Sequence, residues 1–132
     1  MAEAEATTRE RKFGAVAHMG AKVGELIPFV GGFLVPLAVW WWQRDSLFVV
    51  RHARASINFQ LSMTLYYGIA LGYVFVSVLF GLVLLVSLMA FEWVSMVKAA
   101  RRAEAGGYYR YRMCLTFLKD EVGCAGAGDQ PR

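Results

Sequence analysis

The sequence predicts an all-α integral membrane protein, a small helical bundle, on three observations. From Ala55 to Phe91 there is no charged residue over about 37 positions, roughly twice what one helix needs to cross a bilayer. That run is bracketed by Arg51 and Arg54 on one side and by Lys98, Arg101 and Arg102 on the other. Hydrophobic residues make up 58% of the 132-residue chain, and its mean hydropathy is +0.43. A soluble domain of this size has no interior large enough for so much apolar surface. In lipid the backbone must satisfy its own hydrogen bonds, so the spans are helices. The architecture expected is two short N-terminal helices forming a hairpin, followed by a two-helix transmembrane hairpin.

Residues 1–12 are rich in Ala and Glu and lack the apolar stretch and cleavage site of a signal peptide, so they read as a retained, flexible segment. Residues 13–118 form the membrane domain. Its first helix is expected over about 13–26, Gly/Ala-rich, with Lys22 and Glu25 three apart on one face and able to pair. The breaker Ile27-Pro28-Phe29-Val30-Gly31-Gly32 follows. A second helix over about 33–43 carries Pro36 near its start and ends in Trp40-Trp41-Trp42, an aromatic belt closed by Arg44. After a polar connector, Arg44 to Arg54, the third and fourth helices are expected over about 53–76 and 79–102. Their turn falls near Ser77 to Gly81, because the uncharged run is too long for one span and too short for three. Gly68-x-x-x-Gly72 reads as a close-packing signal. Residues 119–132, rich in Gly, Ala and Asp, read as a disordered tail.

Two topologies fit. In one, the first two helices are a short or tilted hairpin with an outward Pro/Gly turn. In the other, the first helix lies on the surface and three helices cross. The hairpin keeps nearly every Lys and Arg inside and leaves both outer turns uncharged, so the positive-inside rule favours it. Both termini are then cytoplasmic, in a multi-pass protein of the bacterial cytoplasmic (inner) membrane. A cytoplasmic C-terminal end argues against a disulfide between Cys114 and Cys124.

Glu92 stands out, because a carboxylate inside a membrane helix is costly and is normally paired or functional. In an antiparallel hairpin Asn58 sits at a similar depth, and Gln60, Ser56 and Ser95 are close. Asn58, Gln60 and Glu92 are therefore the expected intramembrane polar cluster, as a clasp between helices or as an ion site. Trp40, Trp41, Trp42, Arg51, His52, Arg54, Arg101, Arg102, Tyr108, Tyr109, Arg110 and Tyr111 are expected to anchor the protein at the interface, toward anionic lipid. His52, read as a loop residue, suits a helix cap or a lipid phosphate better than cofactor ligation, and His18 suits a helix-packing hydrogen bond. The +4 net charge gathers at helix ends, which is no footprint for nucleic acid. There is no Walker loop, zinc pattern, nucleophile–base set or carboxylate pair, so no catalytic residue, metal or cofactor is expected.

The stretch Phe48-Val-Val-Arg-His52-Ala-Arg-Ala-Ser-Ile-Asn58-Phe59-Gln60 resembles the His-x-x-x-Ala/Ser-φ-Asn-Phe-Gln signature of the DUF4870, or Tic20-like, family of small bacterial membrane proteins. Ala17-His18, Gly32 with Pro36-Leu37, Lys98-Ala99, and Tyr108-Tyr109-Arg110-Tyr111 before Leu115-Thr116-Phe117 agree in order and spacing. The resemblance spans about Phe13 to Lys119. Ala100 to Gly107 is longer than usual, and Arg112 replaces the usual proline. It implies a four-helix fold more strongly than a function. The expected function is a non-enzymatic accessory or scaffold subunit of a larger membrane complex, whose partners are other membrane subunits or a second copy. The alternative that follows from the resemblance is a transport or protein-translocation component with a polar path near Glu92.

Overall fold

A computed structural model describes residues 6–24, 31–119 and 124. Among them are four α-helices and no strand: α1 (Thr8–Gly24), α2 (Gly31–Trp42), α3 (Leu47–Val76) and α4 (Val78–Glu104). The breaker at 27–30, the Lys22–Glu25 pair and most of the C-terminal tail lie outside the described residues.

Helix α1 begins five residues before the expected Phe13, within the segment read as flexible. The cause is a capping box. The Thr7 amide and hydroxyl both donate to Glu10 Oε2 at 2.8 Å, and the Glu10 amide donates back to Thr7 Oγ1 at 3.3 Å. Helix α3 also starts earlier than expected, at Leu47, because Ser46 is its N-cap and accepts from the Val49 amide. Ser46 Oγ donates to Glu10 Oε1 at 2.6 Å, so one carboxylate ties two helix starts together. Pro36 lies inside α2, not at its first turn.

A single residue, Ser77, separates α3 from α4, at the near edge of the expected turn. Its amide donates to the Tyr73 carbonyl, ending α3, and its hydroxyl accepts from the Phe80 amide, opening α4. Close approach beside this turn is made by Gly81, where a Cβ would lie 2.6 Å from the Val74 amide nitrogen. Gly68 and Gly72 have nothing within 4 Å of an added Cβ, so the expected packing role of that pair is not seen. Helix α1 crosses α2 at Gly20, where a Cβ would collide with the Val35 side chain.

Helix α4 ends in a Schellman motif. Gly106 takes φ +80°, its amide donates to the Ala103 carbonyl, and the Gly107 amide donates to the Arg102 carbonyl. The chain then turns back along α3 as an irregular strap, residues 108–119, with a second positive φ at Met113. Cys114 and Cys124 are joined in a disulfide with Cα atoms 5.3 Å apart, against the expectation of unpaired thiols.

Helices α3 and α4 are long and apolar enough to cross a membrane, and α2 is a shorter apolar helix. Only 28% and 22% of their most apolar windows are buried, whereas a core helix of a soluble protein would be mostly covered. Helix α1 packs against α2, α3 and α4. It lies toward the α4 end of the hairpin: an added Cβ at Gly14 would meet Ala103, and Lys22 reaches Glu92. Toward the Ser77 turn the hairpin stands alone, and Phe75, Val76 and Leu79 are exposed. This four-helix bundle is the coarse fold the sequence predicts.

Candidate functional site

The polar residues of the core form three separate groups. The first holds Glu92. It does not meet Asn58 or Gln60. Its Oε2 sits 2.8 Å from Lys22 Nζ of α1 and accepts from the Tyr67 hydroxyl of α3 at 2.6 Å. Lys22 and Glu92 are almost fully buried, and the ammonium also lies 5.7 Å from the centre of the Trp93 ring. One carboxylate on α4 thus holds α1 and α3 together. Among buried ions only a close pair with further hydrogen bonds offsets the cost of dehydration.

The second group joins both histidines. His18 Nε2 and His52 Nδ1 are 2.9 Å apart, and His18 Nδ1 is 2.7 Å from the Tyr111 hydroxyl. His52 is not on a loop. It lies in the second turn of α3, 1% exposed, stacked on Tyr108 at 4.9 Å and against Phe48 at 4.5 Å. Its Nε2 has no hydrogen-bond partner among the described residues. The histidines mark the crossing of α1 and α3, where Ser56 Oγ also donates to the Ala17 carbonyl at 2.9 Å. No group of three or more His, Cys, Asp or Glu able to hold a metal occurs among the described residues.

The third group receives the strap. Asn58 Oδ1 accepts from the Phe117 and Leu118 amides at 3.2 and 2.7 Å, and Asn58 Nδ2 donates to the Leu118 carbonyl at 2.9 Å. The Leu115 amide donates to Ser62 Oγ at 2.7 Å. Phe59 stacks on Tyr111 with centroids 4.2 Å apart. The stretch His52–Asn58–Phe59–Ser62 is therefore a docking track for the protein's own C-terminal segment. Gln60 is buried beside it, and its Nε2 has no partner among the described residues.

The expected anchors divide accordingly. Tyr111 is core, 4% exposed, and bonds to His18, so it is no headgroup anchor. Tyr108 packs on His52 and lies under the Arg51 guanidinium. Trp40 is half-buried beneath Arg54 at 5.0 Å, whereas Trp41 and Trp42 are each 78% exposed. Lys98, Arg101, Arg102, Tyr108, Tyr109 and Arg110 line a basic cleft of about 500 Å³ where α4 ends. Sequence reasoning missed Lys22 and Tyr67 as partners of Glu92. It also missed the Thr7-x-x-Glu10 box, a signal that was legible.

The comparisons with known proteins bear on what this arrangement serves. No curated protein and no solved structure matches the chain. A family model matches residues 9–118, and its description is the MamF/MmsF magnetosome magnetite crystal formation protein family. That finding corrects the DUF4870 or Tic20-like resemblance, and the translocation reading built on it falls too. With this match over most of its length and two helices of spanning length and hydropathy, the chain is a small membrane protein that belongs to the magnetosome magnetite crystal formation family.

Proposed function

We propose that the protein takes part in magnetite crystal formation as a non-enzymatic scaffold or accessory subunit of a larger membrane assembly. The observation that carries this reading is the distribution of surface. The polar groups of the bundle are spent on holding α1, α3, α4 and the strap together. Large apolar and aromatic side chains meanwhile face outward: Trp41, Trp42, Phe75, Val76 and Leu79 are among the most exposed. A wide apolar surface of that kind meets lipid or another membrane helix. Its basic ends favour an anionic leaflet.

A tagged copy, extracted from native membranes in mild detergent, tests the reading by native mass and partner identification. A stoichiometric complex containing other membrane proteins is expected. A folded lone monomer with no partner would overturn the scaffold role. In a deletion strain, electron microscopy is expected to show altered crystals, and unaltered crystals would remove the link to magnetite.

A further inference from the structure

We propose that the end of α4 and the start of the strap form a binding site for one anionic phospholipid. This rests on the membrane placement proposed above and goes beyond it by assigning a single built site. The basic cleft of about 500 Å³ is lined by Lys98, Arg101, Arg102 and Arg110 with the Tyr108 and Tyr109 rings. Among the described residues none of these four cations makes an ion pair, and Glu104 in the same last turn does not engage them. The C-terminus of α4 contributes about half a negative charge. Four cations exceed that several-fold, so the cleft is a strong anion site.

A second cavity continues from the first. It is a groove of about 310 Å³ lined by Trp93, Val94, Val97, Lys98 and Arg101. Lys98 and Arg101 belong to both. Positions 94, 97, 98 and 101 share one stripe of the helix, which passes from apolar to basic toward the membrane edge. From Trp93 to Arg101 the helix rises about 12 Å, close to the hydrocarbon depth of one leaflet. A phosphate or an acidic peptide would fill the cleft and leave the groove empty. A phospholipid fills both, with its headgroup among the cations and an acyl chain along Trp93, Val94 and Val97.

The strap completes the site. Tyr108, Tyr109 and Arg110 are held over the end of α4 by stacking of Tyr108 on His52 and of Tyr111 on Phe59, and by the Asn58 bonds to Phe117 and Leu118. The headgroup side of the cleft is thereby positioned before a lipid arrives.

The test is a native mass spectrometry titration of the delipidated full-length protein in detergent. The ligands are phosphatidylglycerol, phosphatidylcholine and inorganic phosphate. The wild type is expected to saturate with one phosphatidylglycerol per chain and to take up phosphatidylcholine and phosphate weakly. Lys98→Gln/Arg101→Gln is expected to bind phosphatidylglycerol about thirtyfold more weakly, two near-surface cations having been lost. Arg9→Gln/Arg44→Gln removes the same charge from exposed positions outside the cleft and is expected to bind as the wild type does. Val94→Trp, at an exposed groove position, is expected to weaken lipid binding without changing phosphate binding. Circular dichroism checks that each variant is folded, and Lys98→Arg/Arg101→Lys is expected to keep lipid binding. Equal losses in both Gln pairs, or uptake without saturation, would overturn the site while leaving general attraction to an anionic leaflet standing. Phosphate binding as tight as lipid binding, with Val94→Trp silent, would overturn the lipid assignment. No binding of phosphatidylglycerol at all would overturn both the site and the anionic leaflet.

Discussion

Replacing Lys22 by Met removes one half of a buried ion pair while keeping a long, flexible side chain in place. The N–O distance is 2.8 Å, and the two side chains are 5% and 1% exposed. At an effective dielectric constant of about 20, that contact amounts to about 6 kcal/mol of attraction, most of it cancelled by dehydration of the two ions. The pair as a whole therefore adds little net stability, but losing one partner is costly. In Lys22→Met the Glu92 carboxylate keeps the Tyr67 hydroxyl and loses its counter-charge. An uncompensated buried carboxylate is the costly outcome of breaking such a pair from one side. The expected loss is about 3–4 kcal/mol for Lys22→Met and about 1 kcal/mol for Lys22→Met/Glu92→Gln, in which a neutral amide can still accept from Tyr67. The assay is equilibrium unfolding in mixed micelles, followed by tryptophan emission, since Trp93 lies beside the ammonium. A single variant that loses less than about 1 kcal/mol, or a double variant as unstable as the single, would refute the reasoning.

Asn58→Leu removes all three hydrogen bonds to the strap and is expected to cost about 2–3 kcal/mol; trypsin cleavage at Arg110 and Arg112 should accelerate, and an unchanged digestion rate would count against the docking track. Gly81→Leu forces side-chain atoms into the Val74 backbone and is expected to destabilise by about 1–3 kcal/mol, whereas Gly68→Ala and Gly72→Ala, facing open space, should be neutral or slightly stabilising in a thermal melt. Hydrogen bonds from the Ser46 hydroxyl, and then from the Thr7 amide and hydroxyl, hold the Glu10 carboxyl below its ordinary range. A depressed folded pKa means that this cap is intact above the ordinary range and lost as pH falls through the folded value. Amide protection around Thr7–Arg11, taken relative to the intrinsic exchange rate at each pH, should therefore fall in acid, and Glu10→Gln should abolish that dependence.

Some features were legible because their causes are local. The α3–α4 break falls where the uncharged run had to be divided, and Ser77 caps both helices from a single position. The Thr7–Glu10 box and Ser46 are local too, yet reading them needs attention to polar residues outside the apolar pattern. Other features were not local. Glu92 was recognisable as a residue that needs a partner, but Asn58 and Gln60 were chosen for equal depth on one hairpin. The actual partners depend on α1 crossing both α3 and α4, which brings Lys22 to Glu92 across 70 residues of chain. The tyrosine cluster after α4 has the composition of an interfacial anchor. Its last member, Tyr111, becomes core only because the Gly106–Gly107 cap and the turn at Met113 send the chain back along α3.

By itself the sequence determined the solvent. A stretch of uncharged residues twice the length of a span has no home in water, and helices are the structure that satisfies its backbone in lipid. Only the tertiary structure decided what the polar residues do. Hydrophobic patterning places residues on a face and at a depth, but a hydrogen bond or ion pair forms at about 3 Å, a precision set by helix crossings that glycines at 20 and 81 permit and periodicity does not encode.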